Sequence, residues 1–186
     1  LFRSYCVPDG KRLVAAQDEL SAESLVRGVA YLIESAGIER LRVTGGEPLS
    51  QKECLPLLVA LCDAGYDVSL ETSGALDVSA VDPRVSRIMD LKAPDSGEVG
   101  RNLWSNLDCL DGRDEIKIVI ASRGDYEWAR DVLRQRQIDR ICPVLFSPAQ
   151  GLIEAGSLAD WILEDGLNVR FQLQLHKLLW GNMQGK

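Results

Sequence analysis

The segment Thr44-Gly45-Gly46-Glu47-Pro48 sets two adjacent glycines beside a carboxylate. Glycine has no Cβ, so a ligand can approach its backbone closely, and it can hold a positive φ. The glycine N–H groups suit an anionic group and Glu47 suits an ammonium, a pairing that fits the zwitterionic end of an amino acid. A tight turn with a solvated Glu would use the same residues. Glu71-Thr72-Ser73-Gly74 offers a carboxylate, two hydroxyls and a flexible glycine, which equally well make a Ser/Thr turn. Lys92 of Asp90-Leu91-Lys92 can reach a carboxylate or a ribose, or extend its amine to solvent. His176 is the single histidine, with Gln172, Gln174 and Lys177 nearby. Glutamine carries both donor and acceptor, as the edge of a heterocycle requires, although a lone histidine is more often structural.

These groups recur at the ends of strand-like runs. Such runs lie at 40–44, 67–71, 86–92, 114–121, 140–147 and 168–175. Helical periodicity marks 22–36, 51–64, 101–110, 124–137 and 156–165, with Gly37 and Gly65 as stops. Strand and helix alternate, so the fold class is α/β with a parallel sheet and a single domain over 1–186, of which 1–20 is least informative. Val68 and Leu70 oppose Ser69 and Glu71, and Ile116, Ile118 and Ile120 oppose Glu115 and Lys117. In 170–176, Phe171, Leu173 and Leu175 oppose Gln172, Gln174 and His176. One apolar and one polar face suit a partial, incomplete parallel β/α barrel with helices outside and a polar cleft inside. A sheet covered by helices on both faces would read as continuous apolar runs. Ligands bind at the carboxyl edge of such sheets, where these polar endings gather.

Composition limits the remaining choices. With 21 Lys+Arg against 28 Asp+Glu, the formal charge is −7, which disfavours nucleic acid as a partner. No apolar run is long enough to span a membrane, and no secretory signal is present. The five cysteines, Cys6, Cys54, Cys62, Cys109 and Cys142, are odd in number, scattered, and never at CxxC spacing. They predict a reducing, cytoplasmic setting, with the last four acting as small apolar residues. Trp104, Trp128, Trp161 and Trp180 are expected to pack helices on the sheet. The charged run from Arg123 to Arg136 reads as a solvated helix face, with Tyr126, Trp128, Val132 and Leu133 turned inward.

Taken in order, Val43-Thr-Gly-Gly-Glu-Pro-Leu, Leu70-Glu-Thr-Ser-Gly, Asp90-Leu-Lys, Phe146-Ser-Pro and Phe171-Gln-Leu-Gln-Leu-His-Lys resemble the 7-carboxy-7-deazaguanine synthases, in their shorter bacterial form. These are radical S-adenosylmethionine enzymes of queuosine and 7-deazapurine biosynthesis. The resemblance spans about residues 38 to 181. It implies a lyase that contracts 6-carboxy-5,6,7,8-tetrahydropterin to 7-carboxy-7-deazaguanine with loss of ammonia. A [4Fe–4S] cluster, S-adenosylmethionine and Mg²⁺ would assist, with a reducing partner such as flavodoxin and a homodimeric assembly. Carried over by residue, Gly45, Gly46, Glu47, Ser73, Asp90, Leu91 and Lys92 would hold S-adenosylmethionine. Thr44, Glu71, Gln174, His176 and Lys177 would meet the pterin.

The resemblance fails in one place. The family carries C-x₃-C-x₂-C, or a variant with a longer first gap, followed by Asp-Thr, whose Thr serves Mg²⁺. Here only Tyr5-Cys6-Val7-Pro8 lies in that neighbourhood, with Cys6 in the position of the last cysteine. One thiolate of three does not hold a cluster at that site, since each fixes one iron. Two explanations stand: the first strand and cysteine loop precede Leu1, which is the favoured expectation, or the chain is a diverged copy. Another radical S-adenosylmethionine enzyme of the activase type, or a homologue that binds pterin or S-adenosylmethionine without a cluster, are the competing functions.

Overall fold

The computed structural model describes residues 40–173 and, for backbone only, the short antiparallel strands β1 (Tyr5–Cys6) and β2 (Arg12–Leu13). The helix expected over 22–36, together with Gln174, His176, Lys177 and Trp180, lies outside the described residues. The remaining strands are β3 (Arg40–Val43), β4 (Asp67–Thr72), β5 (Ser86–Asp90), β6 (Glu115–Ile120), β7 (Val144–Pro148) and β8 (Arg170–Phe171). They follow sequence order in an open, six-stranded parallel sheet, so the expected α/β class holds. Contacts divide the chain into two compact units: residues 1–72 with 78–87, and residues 73–77 with 88–186.

In the first unit β3 and β4 run parallel, with Val43 opposite Leu70. Val43, Val68 and Leu70 are buried, whereas Arg42 is exposed and Ser69 and Glu71 are half-buried, as the alternation requires. Helix α1 (Cys54–Asp63) contributes Cys54, Leu57, Leu58 and Leu61 to the same core. The expected helix start at residue 51 is corrected. Pro48–Ser50 form a separate 3₁₀ turn, because Glu47 accepts a hydrogen bond from Leu49 N–H and proline fixes the first turn. Gly65 ends α1 with φ +88°, donating to Cys62, while Tyr66 reaches back to Leu61.

In the second unit, Ile116, Ile118 and Ile120 of β6 and Val144 and Phe146 of β7 pack with α2 (Arg123–Arg136) and α3 (Ala155–Glu164). Tyr126 of α2 meets Phe146 edge-on at 6.2 Å. Its hydroxyl lies 2.6 Å from the Trp161 carbonyl and 2.7 Å from Asp165 Oδ2, which joins α2 to α3. Trp104, Trp128 and Trp161 pack against this core, as expected.

Three further expectations are corrected here. The helix placed over 101–110 is two 3₁₀ segments, Val99–Arg101 and Trp104–Cys109. Asn102 and Asn106 turn their amides onto distant backbone, drawing this segment away from a regular helix. The strand expected from 140 starts only at Val144, after a 3₁₀ turn at Ile138–Arg140. Among the described residues, the strand expected over 168–175 pairs at Arg170 and Phe171, while 174 and 175 lie outside them. Phe171 and Leu173, expected on an apolar face, remain 38% and 37% exposed, at the edge of the sheet where β8 pairs with β7 alone among the described strands.

Asp125, 1% exposed, ties the start of α2 to its surroundings. Its carboxylate accepts from Asp95 N–H at 2.9 Å and Ala121 N–H at 3.0 Å, while Ser122 Oγ caps Asp125 N–H. Replacing Asp125 with Ala leaves two donors unmatched and should lower unfolding stability by about 2–3 kcal/mol in urea denaturation. A loss below about 0.5 kcal/mol would mean that water replaces the carboxylate without penalty.

Candidate functional site

The polar side chains of the first unit gather at the carboxyl ends of β3 and β4. Thr44 Oγ1 donates to Glu71 Oε2 at 2.9 Å, and Arg42 Nη1 donates to Glu71 Oε1 at 3.0 Å. Thr44 and Glu71, both expected at the substrate, are therefore a bonded pair. With its proton committed to Glu71, the Thr44 oxygen keeps lone pairs to accept an N–H from a ligand. Sequence reading missed Arg42, which the shared alternation with Thr44 and Glu71 points to.

Glu47 is fixed from two sides. Thr72 Oγ1 lies 2.9 and 3.0 Å from its two carboxylate oxygens, and Leu49 N–H reaches Oε1 at 3.1 Å. These bonds orient the carboxylate before any cation arrives, which lowers the cost of binding an ammonium. Gly45 and Gly46 are exposed, neither holds a positive φ, and a Cβ on either would meet nothing within 4 Å. The positive φ that glycine permits is not used at either position. Neither a positive φ nor local crowding requires glycine at these positions, and the backbone there is open to an approaching group. Gly74 differs, with φ +73° and a would-be Cβ only 2.9 Å from Met89 Cγ.

The second unit presents another set of strand ends. Asp90 and Lys92 point to one side, and Lys92 Nζ lies 2.5 Å from Asp90 Oδ2. Asp90 is in register with Lys117 of β6. Leu91 alternates into the core at 3% exposure and gives its N–H to the Lys117 carbonyl. Ser73 Oγ accepts Ala75 N–H at 3.4 Å, making the Ser/Thr turn that its sequence allowed. Ser147, opposite Val119 and 0% exposed, has no hydrogen-bond partner for Oγ among the described residues. A buried hydroxyl in that state favours a polar ligand atom or water. Asn102 and Asn106, which sequence reading overlooked, hold the neighbouring backbone.

Nothing among the described residues fits a metal cluster. No group of three or more His, Cys, Asp or Glu side chains there is arranged to hold an ion. Cys54 and Cys142 are buried, and burial pushes their thiols up to about 11 and about 12; Glu47 adds to the shift at Cys54. Both behave as the small apolar residues expected, whereas Cys62 and Cys109 are partly accessible. Of Cys6 only the backbone, in β1, is described.

Comparison with known proteins now gives the class. The crystal structure of QueE from Escherichia coli matches with a TM-score of 0.63 at 23% identity, covering 83% of this chain and 64% of that one. The fold is therefore of the radical S-adenosylmethionine type. No family model matches the chain. A 7-carboxy-7-deazaguanine synthase of Chlorobaculum tepidum is 47% identical over 143 residues, 75% of this chain and 65% of that protein. The same-named protein of Koribacter versatilis is 38% identical over 190 residues, 95% of this chain and 80% of that protein. The chain belongs to the 7-carboxy-7-deazaguanine synthase family. It spans just under two thirds of the Chlorobaculum tepidum relative.

The cysteine assignment is open to direct test. With a thiol at about 11, only about one Cys54 in a thousand is thiolate at pH 8. Iodoacetamide on native protein should therefore label Cys109 and Cys62 well before Cys54 and Cys142, with the latter pair labelled only after unfolding. Rapid native labelling of Cys54 or Cys142, located by peptide mapping, would contradict their burial.

Proposed function

We propose that the chain carries the rim of a 7-carboxy-7-deazaguanine synthase, an S-adenosylmethionine-dependent carbon–nitrogen lyase. It would convert 6-carboxy-5,6,7,8-tetrahydropterin to 7-carboxy-7-deazaguanine with loss of ammonia. The observation that carries the reading is the Thr44-Gly-Gly-Glu47 strand end. Its two glycines hold no positive φ and leave the space above the backbone open, and its carboxylate is already oriented by Thr72 and Leu49. Kinship with the synthases over most of the chain supports the same reading.

Gly45 and Gly46 would lie against the methionyl end of S-adenosylmethionine, with Glu47 accepting from its ammonium. Ser73, Asp90, main-chain atoms of Leu91, and Lys92 are proposed as further contacts of that cofactor. Bound S-adenosylmethionine supplies the radical that removes hydrogen from the substrate in this enzyme class. Thr44 would accept an N–H from the pterin, while Glu71, screened by Arg42, holds the Thr44 hydroxyl in the accepting orientation. The proposed substrate contacts Gln174, His176 and Lys177 lie outside the described residues. The described residues supply no cluster or Mg²⁺ site, so those ligands must come from elsewhere in the protein, with Cys6 a candidate for one thiolate. A reducing partner, a homodimer and a cytoplasmic setting belong to this proposal. No helix among the described residues is long and apolar enough to cross a membrane.

The full-length protein, reconstituted anaerobically with iron and sulfide and given a reductant, should convert the pterin to the deazaguanine, detected by mass spectrometry. Failure to form product while cleaving S-adenosylmethionine would favour another radical enzyme of the same fold. Gly46→Val should weaken S-adenosylmethionine binding at least about tenfold, because its side chain enters the ligand's space. Its melting temperature should stay within about 2 °C of the parent, since the site is open to solvent. Unchanged affinity would place the cofactor away from these glycines.

A further inference from the structure

Lys92 lies just beyond the end of β5, where a parallel strand would ordinarily leave its N–H and C=O to a loop or to water. Instead both groups are taken by one side chain. Asn102 Oδ1 accepts Lys92 N–H at 2.9 Å, and Asn102 Nδ2 donates to the Lys92 carbonyl at 2.8 Å. The reciprocal pair copies what a residue of a neighbouring strand would do, using a side-chain amide that carries donor and acceptor together. Asn102 is 8% exposed, and its own N–H is given to Val99 O, so the amide is shielded and its backbone is fixed.

The same segment grips a second strand end within this unit. Leu103 N–H donates to the Gly74 carbonyl at 3.1 Å. Asn106, 0% exposed, donates from Nδ2 to the Leu76 carbonyl at 2.8 Å and to the Gly74 carbonyl at 3.2 Å. Residues 102–106 therefore fasten the turn that follows Ser73 to the backbone of Lys92. Asn102 follows the 3₁₀ turn Val99–Arg101 and Asn106 lies within the 3₁₀ segment Trp104–Cys109, and both amides face backbone groups there.

We propose that this segment is a bracket setting the backbone from which Ser73 and Lys92 project, and that Asn102 is a positioning residue for S-adenosylmethionine. The inference rests on the reading that Ser73 and Asp90-Leu91-Lys92 contact that cofactor. Asn102 touches no reacting atom. It acts by fixing the Lys92 backbone, and with it the direction in which the Lys92 ammonium and its Asp90 partner are presented. The residue must be asparagine: Asp keeps the acceptor but loses the donor, Ala loses both, and Gln displaces the amide by a methylene.

The test uses the full-length reconstituted protein in its unreduced form, with equilibrium binding of labelled S-adenosylmethionine and separate binding of the pterin. Asn102→Ala should weaken S-adenosylmethionine binding about tenfold or more, and Asn102→Asp by less, while pterin affinity stays within about twofold. A merely structural asparagine would lower the melting temperature in both variants and leave the affinity of the folded protein unchanged, which would overturn the proposal. Lys92→Ala separates the two layers. If it leaves S-adenosylmethionine binding intact, the underlying cofactor reading fails. If it weakens binding while folded Asn102 variants do not, the bracket alone fails. Should the Asn102 variants not fold, hydrogen exchange at the Lys92 amide of the unmodified protein decides. Protection equal to that of β5 amides is expected, and exchange at a loop rate would overturn the bracket.

Discussion

The constraint on which the rest of this structure depends is the satisfaction of backbone polar groups where parallel strands stop. A ladder cannot serve N–H and C=O groups beyond its last pair, and leaving them unmatched in a partly buried place costs on the order of 1–3 kcal/mol each. Here side chains take over that task. Glu47 receives Leu49 N–H, Asp125 receives Asp95 and Ala121, Asn102 closes on both groups of Lys92, and Asn106 reaches Gly74 and Leu76. The residues that rigidify these ends are mostly distinct from those left facing outward. That division allows the latter to be chosen for a ligand.

Charge is handled in the same way. Glu71 lies between Arg42 and the Thr44 hydroxyl, and Asp90 is matched by Lys92, so each of these two carboxylates has a cationic partner. With the molecule carrying −7 overall, such pairing lowers the repulsion that these carboxylates would exert on an anionic ligand. The ion pairs are half-exposed and add little to folding stability. Their value is in direction, since each sets which lone pair or proton of its neighbour remains available.

Period-two alternation carried much of the fold in advance. Val68, Leu70, Ile116, Ile118 and Ile120 are buried as their spacing required, and the glycine after α1 stops it as expected. The clearest failure, residues 101–110, has a physical cause. Apolar spacing there resembles a helix, but Asn102 and Asn106 gain more by bonding to residues 10 and about 30 positions away than by exposing their amides on a helix. Such partners are distant in sequence and invisible to a local pattern. The Thr44-Gly-Gly-Glu47 and Asp90-Leu-Lys92 segments were singled out because their residue types suit ligands, and the structure places both at or just beyond strand ends. Arg42 was passed over, because an arginine in a strand suggests nothing until its neighbours are known, and Ser147 was noticed only as part of the Phe146-Ser-Pro strand end, without its burial. Of the two properties that glycine offers at Gly45 and Gly46, a positive φ is not used, and the backbone is open to solvent.

Anaerobic co-crystallisation of the full-length protein with S-adenosylmethionine tests the central claim most directly. Density for the methionyl group should lie against the main chain of Gly45 and Gly46, with its ammonium within hydrogen-bond reach of Glu47. A cofactor bound with its ammonium elsewhere, and the space over the two glycines filled only by solvent, would contradict the account.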